Sequence, residues 1–145
     1  MATLSELLGG DKRAALISDS LVVLEQEVND KSGLGGMAVK AAYKVVKGIS
    51  PDFLRKVVNS LMDDFLVALD PLYQEAISAG KSPSAHLSAN QGRVADALLS
   101  ITDQRAARSS NAAVKKTYEK MRSGAKKHVE SAVPRLGQLL EKHTA

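Results

Sequence analysis

The residues of this 145-residue chain with the clearest chemical capacity are three histidines and a scatter of carboxylates. His86, His128 and His143 would be metal ligands or general bases if suitably partnered. None lies three or four residues from a carboxylate, as helical metal sites require, and neither Glu-x-x-His nor His-Glu-x-x-His occurs. Asp63, Asp64 and Asp70 form an acidic cluster with Glu75 beyond it, but on a helix Asp63 and Asp64 point about 100° apart and do not aim at one ion. They are expected to cap the segment starting at Phe65 or to form a solvated face. No serine sits in a nucleophile elbow, and the absence of cysteine removes thiol nucleophiles, thiolate metal sites and disulfides together. The expectation is a protein that is not an enzyme, with no catalytic, cofactor-binding or metal-binding residues.

Two binding motifs fail on context. Gly33-Leu34-Gly35-Gly36 could cradle a phosphate at a helix start, but it lacks the preceding strand of a dinucleotide fingerprint and the Gly-Lys-Ser/Thr of a P-loop, so it is expected to be a helix-to-helix turn. Residues 41–59 admit a degenerate helix-turn-helix with Gly48 at the turn and Ile49, Leu54 and Val57 packing inward. Lys44 and Lys47 occupy inner positions, and the surface a recognition helix would show to bases, Ser50, Pro51, Asp52, Arg55 and Lys56, would both repel and attract phosphate. A small DNA-binding regulator is therefore the alternative reading. A ligand carrier with a pocket among Ala and Val side chains has no residue pattern behind it.

The remaining signal is charge. The net charge is +4, but residues 1–75 carry 8 Lys and Arg against 11 Asp and Glu, whereas residues 76–145 carry 12 against 5. The excess peaks at Arg105, Arg108, Lys115, Lys116, Lys120, Arg122, Lys126 and Lys127. Such a band suits an acidic protein, nucleic acid or an anionic membrane surface, and equally the solvated face of a long helix. Tyr118, the one aromatic residue in the band, belongs to the apolar stripe and does not suit base stacking.

The elements that must position these residues are helices. From Ser110 to His143, Val114, Tyr118, Met121, Ala125, Val129, Ala132, Leu136 and Leu139 recur at steps of three and four, predicting one helix about 45 to 50 Å long with Gly124 and Pro134 as weak points. Ser110 or Asn111 is available to cap it. Upstream, Thr3 and Glu6 form a capping box, and Asp11 reads as the N-cap of a helix striped by Ala14, Ile17, Leu21, Leu24 and Val28. A third helix carries Leu34, Ala38, Ala41, Val45 and Val46. Ser50-Pro51-Asp52 opens a fourth, striped by Leu54, Val58, Leu61, Phe65, Ala68 and Leu72 and expected to break near Asp70-Pro71 into two nearly coaxial segments. Residues 79–84 read as an exposed loop, followed by one helix from about Leu87 to about Arg105.

With 44% hydrophobic but 3% aromatic residues, the core must be built from Leu, Val, Ala, Ile and Met, an alphabet that favours helix-on-helix packing. The length suits one domain over residues 1–145. No secretion signal or transmembrane run is read, so a cytoplasmic home is expected.

The opening MATLSELLGGDK, the DKSGL turn, the ISPDF helix start and the closing KKHVESAVPRLGQLLEKH together resemble a family of short actinobacterial proteins of unknown function, over nearly the whole chain. The resemblance implies a small intracellular helical protein and supplies no activity, cofactor or catalytic residue. The combined expectation is an all-α, compact bundle of about six helices with the last as spine and the helices near residues 11–30 and 51–78 packed on it. It is read as a non-enzymatic binding or scaffolding module, its basic C-terminal half meeting an acidic partner or the protein forming a homodimer.

Overall fold

The computed structural model describes residues 2–50 and 52–144, apart from the Leu34 side chain. They form seven helices: α1 (Leu4–Leu7), α2 (Lys12–Asp30), α3 (Gly33–Lys47), α4 (Phe53–Ser78), α5 (Pro83–Ala89), α6 (Gln91–Ala107) and α7 (Ala112–Thr144). The all-α expectation holds, with one helix more than the sequence suggested. The added break is local chemistry: Ser82 Oγ accepts from the Ala85 N–H at 3.1 Å and Pro83 takes the first helical position, so a helix starts inside the expected loop. It stops at Asn90, whose side-chain amide donates to the His86 carbonyl at 2.8 Å.

Prolines inside the long helices do not break them. α4 continues through Pro71, and α7 runs unbroken through Gly124 and Pro134. Pro71 and Val67 are both exposed, so the carbonyl that the proline cannot serve is open to water. Asp70 does not restart the helix; its Oδ1 accepts from the Leu4 N–H at 2.8 Å and pins α1 to α4. At the caps, Thr3 Oγ1 accepts from the Glu6 N–H and Asn111 Oδ1 from the Val114 N–H. Asp11 precedes α2 without capping it, because its backbone is already helical at φ −65°, ψ −23°. Asp52 precedes α4, also without a side-chain cap, and Pro51 lies outside the described residues.

The buried core draws on α1, α2, α4, α5, α6 and α7. Leu4 and Leu8 from α1 and its C-terminal edge, Leu16 and Ile17 from α2, Met62, Leu66, Leu69, Leu72 and Tyr73 from α4, Leu87, Val94, Val133 and Leu140 are buried together. Here α7 approaches α5 so closely that a Cβ on Gly137 would lie 2.8 Å from Ser84 Cα. α7 packs on α5, α6, α2 and α3, and α4 packs on α1, α2, α5 and α6. The expected direct packing of α4 on α7 is not what forms: their backbones scarcely approach, because side chains of both helices line a cavity that separates them.

Charged side chains tie the helices around that cavity. Arg135 on α7 donates to Glu27 Oε1 at 3.0 Å and also pairs with Asp30, both on α2. Lys142 and His143 each meet Asp19 at 2.8 Å. Arg13 pairs with Asp63 at 2.5 Å and Arg105 with Asp64 at 3.0 Å, so these two aspartates are a solvated, ion-paired face of α4 and not caps.

Candidate functional site

The cavity has a volume of about 440 Å³ and lies among α2, α3, α4, α6 and α7. α2 contributes Val23, Leu24 and Val28, α3 Val39, α4 Leu54, Val57, Val58, Leu61 and Phe65, α6 Leu98, and α7 Val129, Ala132 and Leu136. The helical periods explain this lining. The α4 and α7 stripes recognised in the sequence both turn inward, as their amphipathicity requires, but they face each other across the cavity instead of interdigitating. A second pocket of about 290 Å³ adjoins it, sharing Leu24, Val28, Val39 and Leu54 and adding Ala42, Tyr43, Val46, Val114, Tyr118 and Met121. Seven of the eight α7 stripe residues thus line the two pockets, Ala125 being the exception.

Polar chemistry enters the larger cavity mainly at one end, where Glu27, Lys31 and His128 meet. Lys31 and Glu27 are mostly buried, with side chains 14% and 13% exposed, and lie 3.4 Å apart. Lys31 Nζ also donates to Ser131 Oγ at 2.5 Å. Burial, and secondarily the Lys31 charge, lower the His128 pKa, which keeps its imidazole neutral near pH 7. The fourth polar residue, Ser20, spends its hydroxyl on the Leu16 carbonyl at 2.7 Å. Water in most of this cavity would find few of the two to four polar partners it needs, whereas an apolar molecule would meet aliphatic walls throughout.

The basic residues singled out in the sequence divide between those paired with carboxylates of this chain and those that are open to solvent. Arg105 bridges α6 to α4, donating to Ser60 and Asp64; Arg122 grips Asp103 at 2.7 Å and Lys126 grips Asp96 at 3.0 Å, both tying α7 to α6. Tyr118 donates its hydroxyl to Asp103 at 2.5 Å, so the Asp103 carboxyl is held below its ordinary pKa by Arg122 first and Tyr118 second. At 100° per residue, Lys116, Lys120 and Lys127 share an azimuth about 120° from that of Lys115, Arg122 and Lys126. Arg108, Lys115, Lys116, Lys120 and Lys127 are exposed.

The other chemical candidates are dispersed. His86 meets Glu75 at 2.9 Å, and Arg93 grips the same carboxylate through both oxygens, pulling its pKa down to about 2. Among the described residues no group of three or more His, Asp or Glu gathers as a metal site would need. At the helix-turn-helix candidate, Leu54 and Val57 line the cavity, and Arg55 donates to Ser18 on α2 at 2.8 Å. The cavity itself was not foreseen. Its only sequence trace is a surplus of apolar faces, above all on α3, combined with few aromatic side chains to fill the space between them.

Fold and site together define an all-α protein built around an apolar cavity. The chain belongs to a family of unknown function, DUF6918, whose model matches residues 4–144. No curated protein and no solved structure matches it. Among the described residues no helix is long and apolar enough to cross a membrane.

Proposed function

We propose that this protein is a non-enzymatic binding protein that holds a small apolar molecule between α4 and α7. The observation that carries this reading is the cavity of about 440 Å³, within the roughly 300 to 1,000 Å³ usual for small-molecule sites and walled almost wholly by aliphatic side chains. Its one polar end, at His128, Lys31 and Glu27, suits a ligand with a single hydrogen-bonding head. Because Glu27 and Asp30 already balance Lys31 and Arg135, a neutral hydroxyl or carbonyl suits this end better than a second carboxylate.

Saturable binding of a fluorescent apolar dye, with displacement by a long-chain alcohol, tests the reading. Ala132→Leu projects added bulk into the cavity and should abolish binding while the helical circular dichroism is kept. No saturable binding, or binding indifferent to Ala132→Leu, would overturn it. An acidic macromolecular partner for the C-terminal half then rests on the exposed Arg108, Lys115, Lys116, Lys120 and Lys127, since Arg105, Arg122 and Lys126 are committed to carboxylates of this chain.

A further inference from the structure

α3 is the helix whose apolar residues the fold leaves least satisfied. The apolar residues read for it in the sequence are Leu34, Ala38, Ala41, Val45 and Val46, and Ala38, Ala41 and Val45 do not form its inward face. Instead Val39, Ala42, Tyr43 and Val46 face the pockets, and Ala38, Ala41 and Val45 are exposed. The Leu34 side chain lies outside the described residues. Met37 joins this outer face at 67% exposure and Val45 stands at 47%, both high for large apolar side chains.

Beside that apolar strip runs a row of lysines, Lys40, Lys44 and Lys47, spaced so that successive members sit about one turn apart, all of them exposed. No Asp or Glu occurs anywhere in Gly33–Lys47. Among the described residues, the ion pairs that tie the other helices together do not draw in these three lysines. Lys47 Nζ lies 5.3 Å from the centre of the Tyr43 ring. An exposed apolar strip edged by unneutralised lysines is the pattern of a helix that lies in the plane of a membrane interface, with methyl groups among the acyl chains and ammonium groups at lipid phosphates.

We propose that the outer face of α3 docks on an anionic lipid bilayer, inserting Met37 and Val45 and pairing Lys40, Lys44 and Lys47 with lipid phosphates. Since the opposite face of α3 walls the pockets, docking would bring them to the membrane surface. The proposal does not depend on their having a ligand.

Co-sedimentation of the full chain with phosphatidylglycerol–phosphatidylcholine vesicles, against phosphatidylcholine vesicles alone, tests it. The expected result is binding to the anionic vesicles only, lowered about a hundredfold by Lys40→Glu, Lys44→Glu and Lys47→Glu together and lowered also by Met37→Ser with Val45→Ser. Because the chain has no cysteine, Val45→Cys carries a single environment-sensitive label, whose emission should shift to the blue on vesicle binding. These positions are exposed, so the variants should keep wild-type circular dichroism. Ala132→Leu should bind vesicles as the wild type does, which separates this proposal from the cavity reading. Undiminished binding by the α3 variants, or loss of binding only on reversing Lys116, Lys120 and Lys127, would overturn it. So would a dimer in light scattering that Met37→Ser and Val45→Ser dissolve in the absence of vesicle binding, since the face would then belong to a second copy of the chain.

Discussion

At the scale of single residues, the titratable groups serve chiefly as ties between helices. Arg93 and His86 hold Glu75 with a pKa of about 2 against an ordinary 4.5, so its contribution to stability is present above pH 4.5 and is lost as pH falls from there through about 2. Acid unfolding of the wild type and Glu75→Gln should therefore differ at neutral pH and converge within that window. His128 has the opposite charge logic and the same direction of effect. Its folded pKa lies below the ordinary value, so the unfolded chain binds the proton more readily and stability falls as the solution is acidified below about 6.5. Tyr118→Phe removes the hydroxyl shared with Asp103 and Thr102, and should cost about 1 kcal/mol, read as a lower urea midpoint with an unchanged slope.

At the scale of elements, two glycines of α7 make opposite predictions. Gly137 lies where α5 crosses α7, and an added Cβ would meet Ser84 Cα at 2.8 Å, so Gly137→Ala should destabilise by about 1 to 3 kcal/mol. Gly124 has room: its nearest neighbour would be a ring atom of His128 at 3.9 Å, an ordinary contact. Gly124→Ala should stabilise by about 0.5 to 1 kcal/mol, because alanine loses less backbone entropy on entering a helix. Urea unfolding of the two variants checks both signs. At the α2–α3 corner, Gly33 adopts φ +73°, a conformation that side-chain-bearing residues rarely take, and this turn sets the direction in which α3 leaves α2.

At the scale of the whole molecule, the packed core and the cavity share a wall. α1 and α5 belong to the buried core alone and α3 to the pockets alone, while Leu16, Met62, Leu66, Leu69, Leu139 and Leu140 of α2, α4 and α7 belong to the core and also wall the larger cavity. A ligand that binds only the folded state, present at a hundred times its Kd, adds about 2.7 kcal/mol of stability. For a chain of this size the melting temperature should rise by roughly 5 to 10 °C. The rise should vanish in Ala132→Leu, as differential scanning calorimetry would record.

Much of the fold was legible in the sequence, because helix formation and the choice of an inward face are local matters of period and caps. The long α7 helix, its Asn111 cap and the inward α4 and α7 stripes all follow from spacing within one segment. The division at Asn90 and the continuity through Pro71 were less legible because a cap and an exposed carbonyl decide them and not the apolar period, and the pairing of Asp70 with Leu4 was less legible because it depends on a partner far off in the chain. The candidate site was not legible at all. A stripe specifies which way a helix turns and not how far away its neighbour stands. That distance is set by close approaches elsewhere, such as Gly137 on Ser84 and α1 on α4. Likewise α3 is apolar on two sides, and its own pattern does not decide which of them the pockets take. Sequence alone determined about six helical stretches and their charges; tertiary structure decided that two apolar stripes face each other across a cavity and that a third faces outward, because the spacing between helices is a property of all their contacts at once.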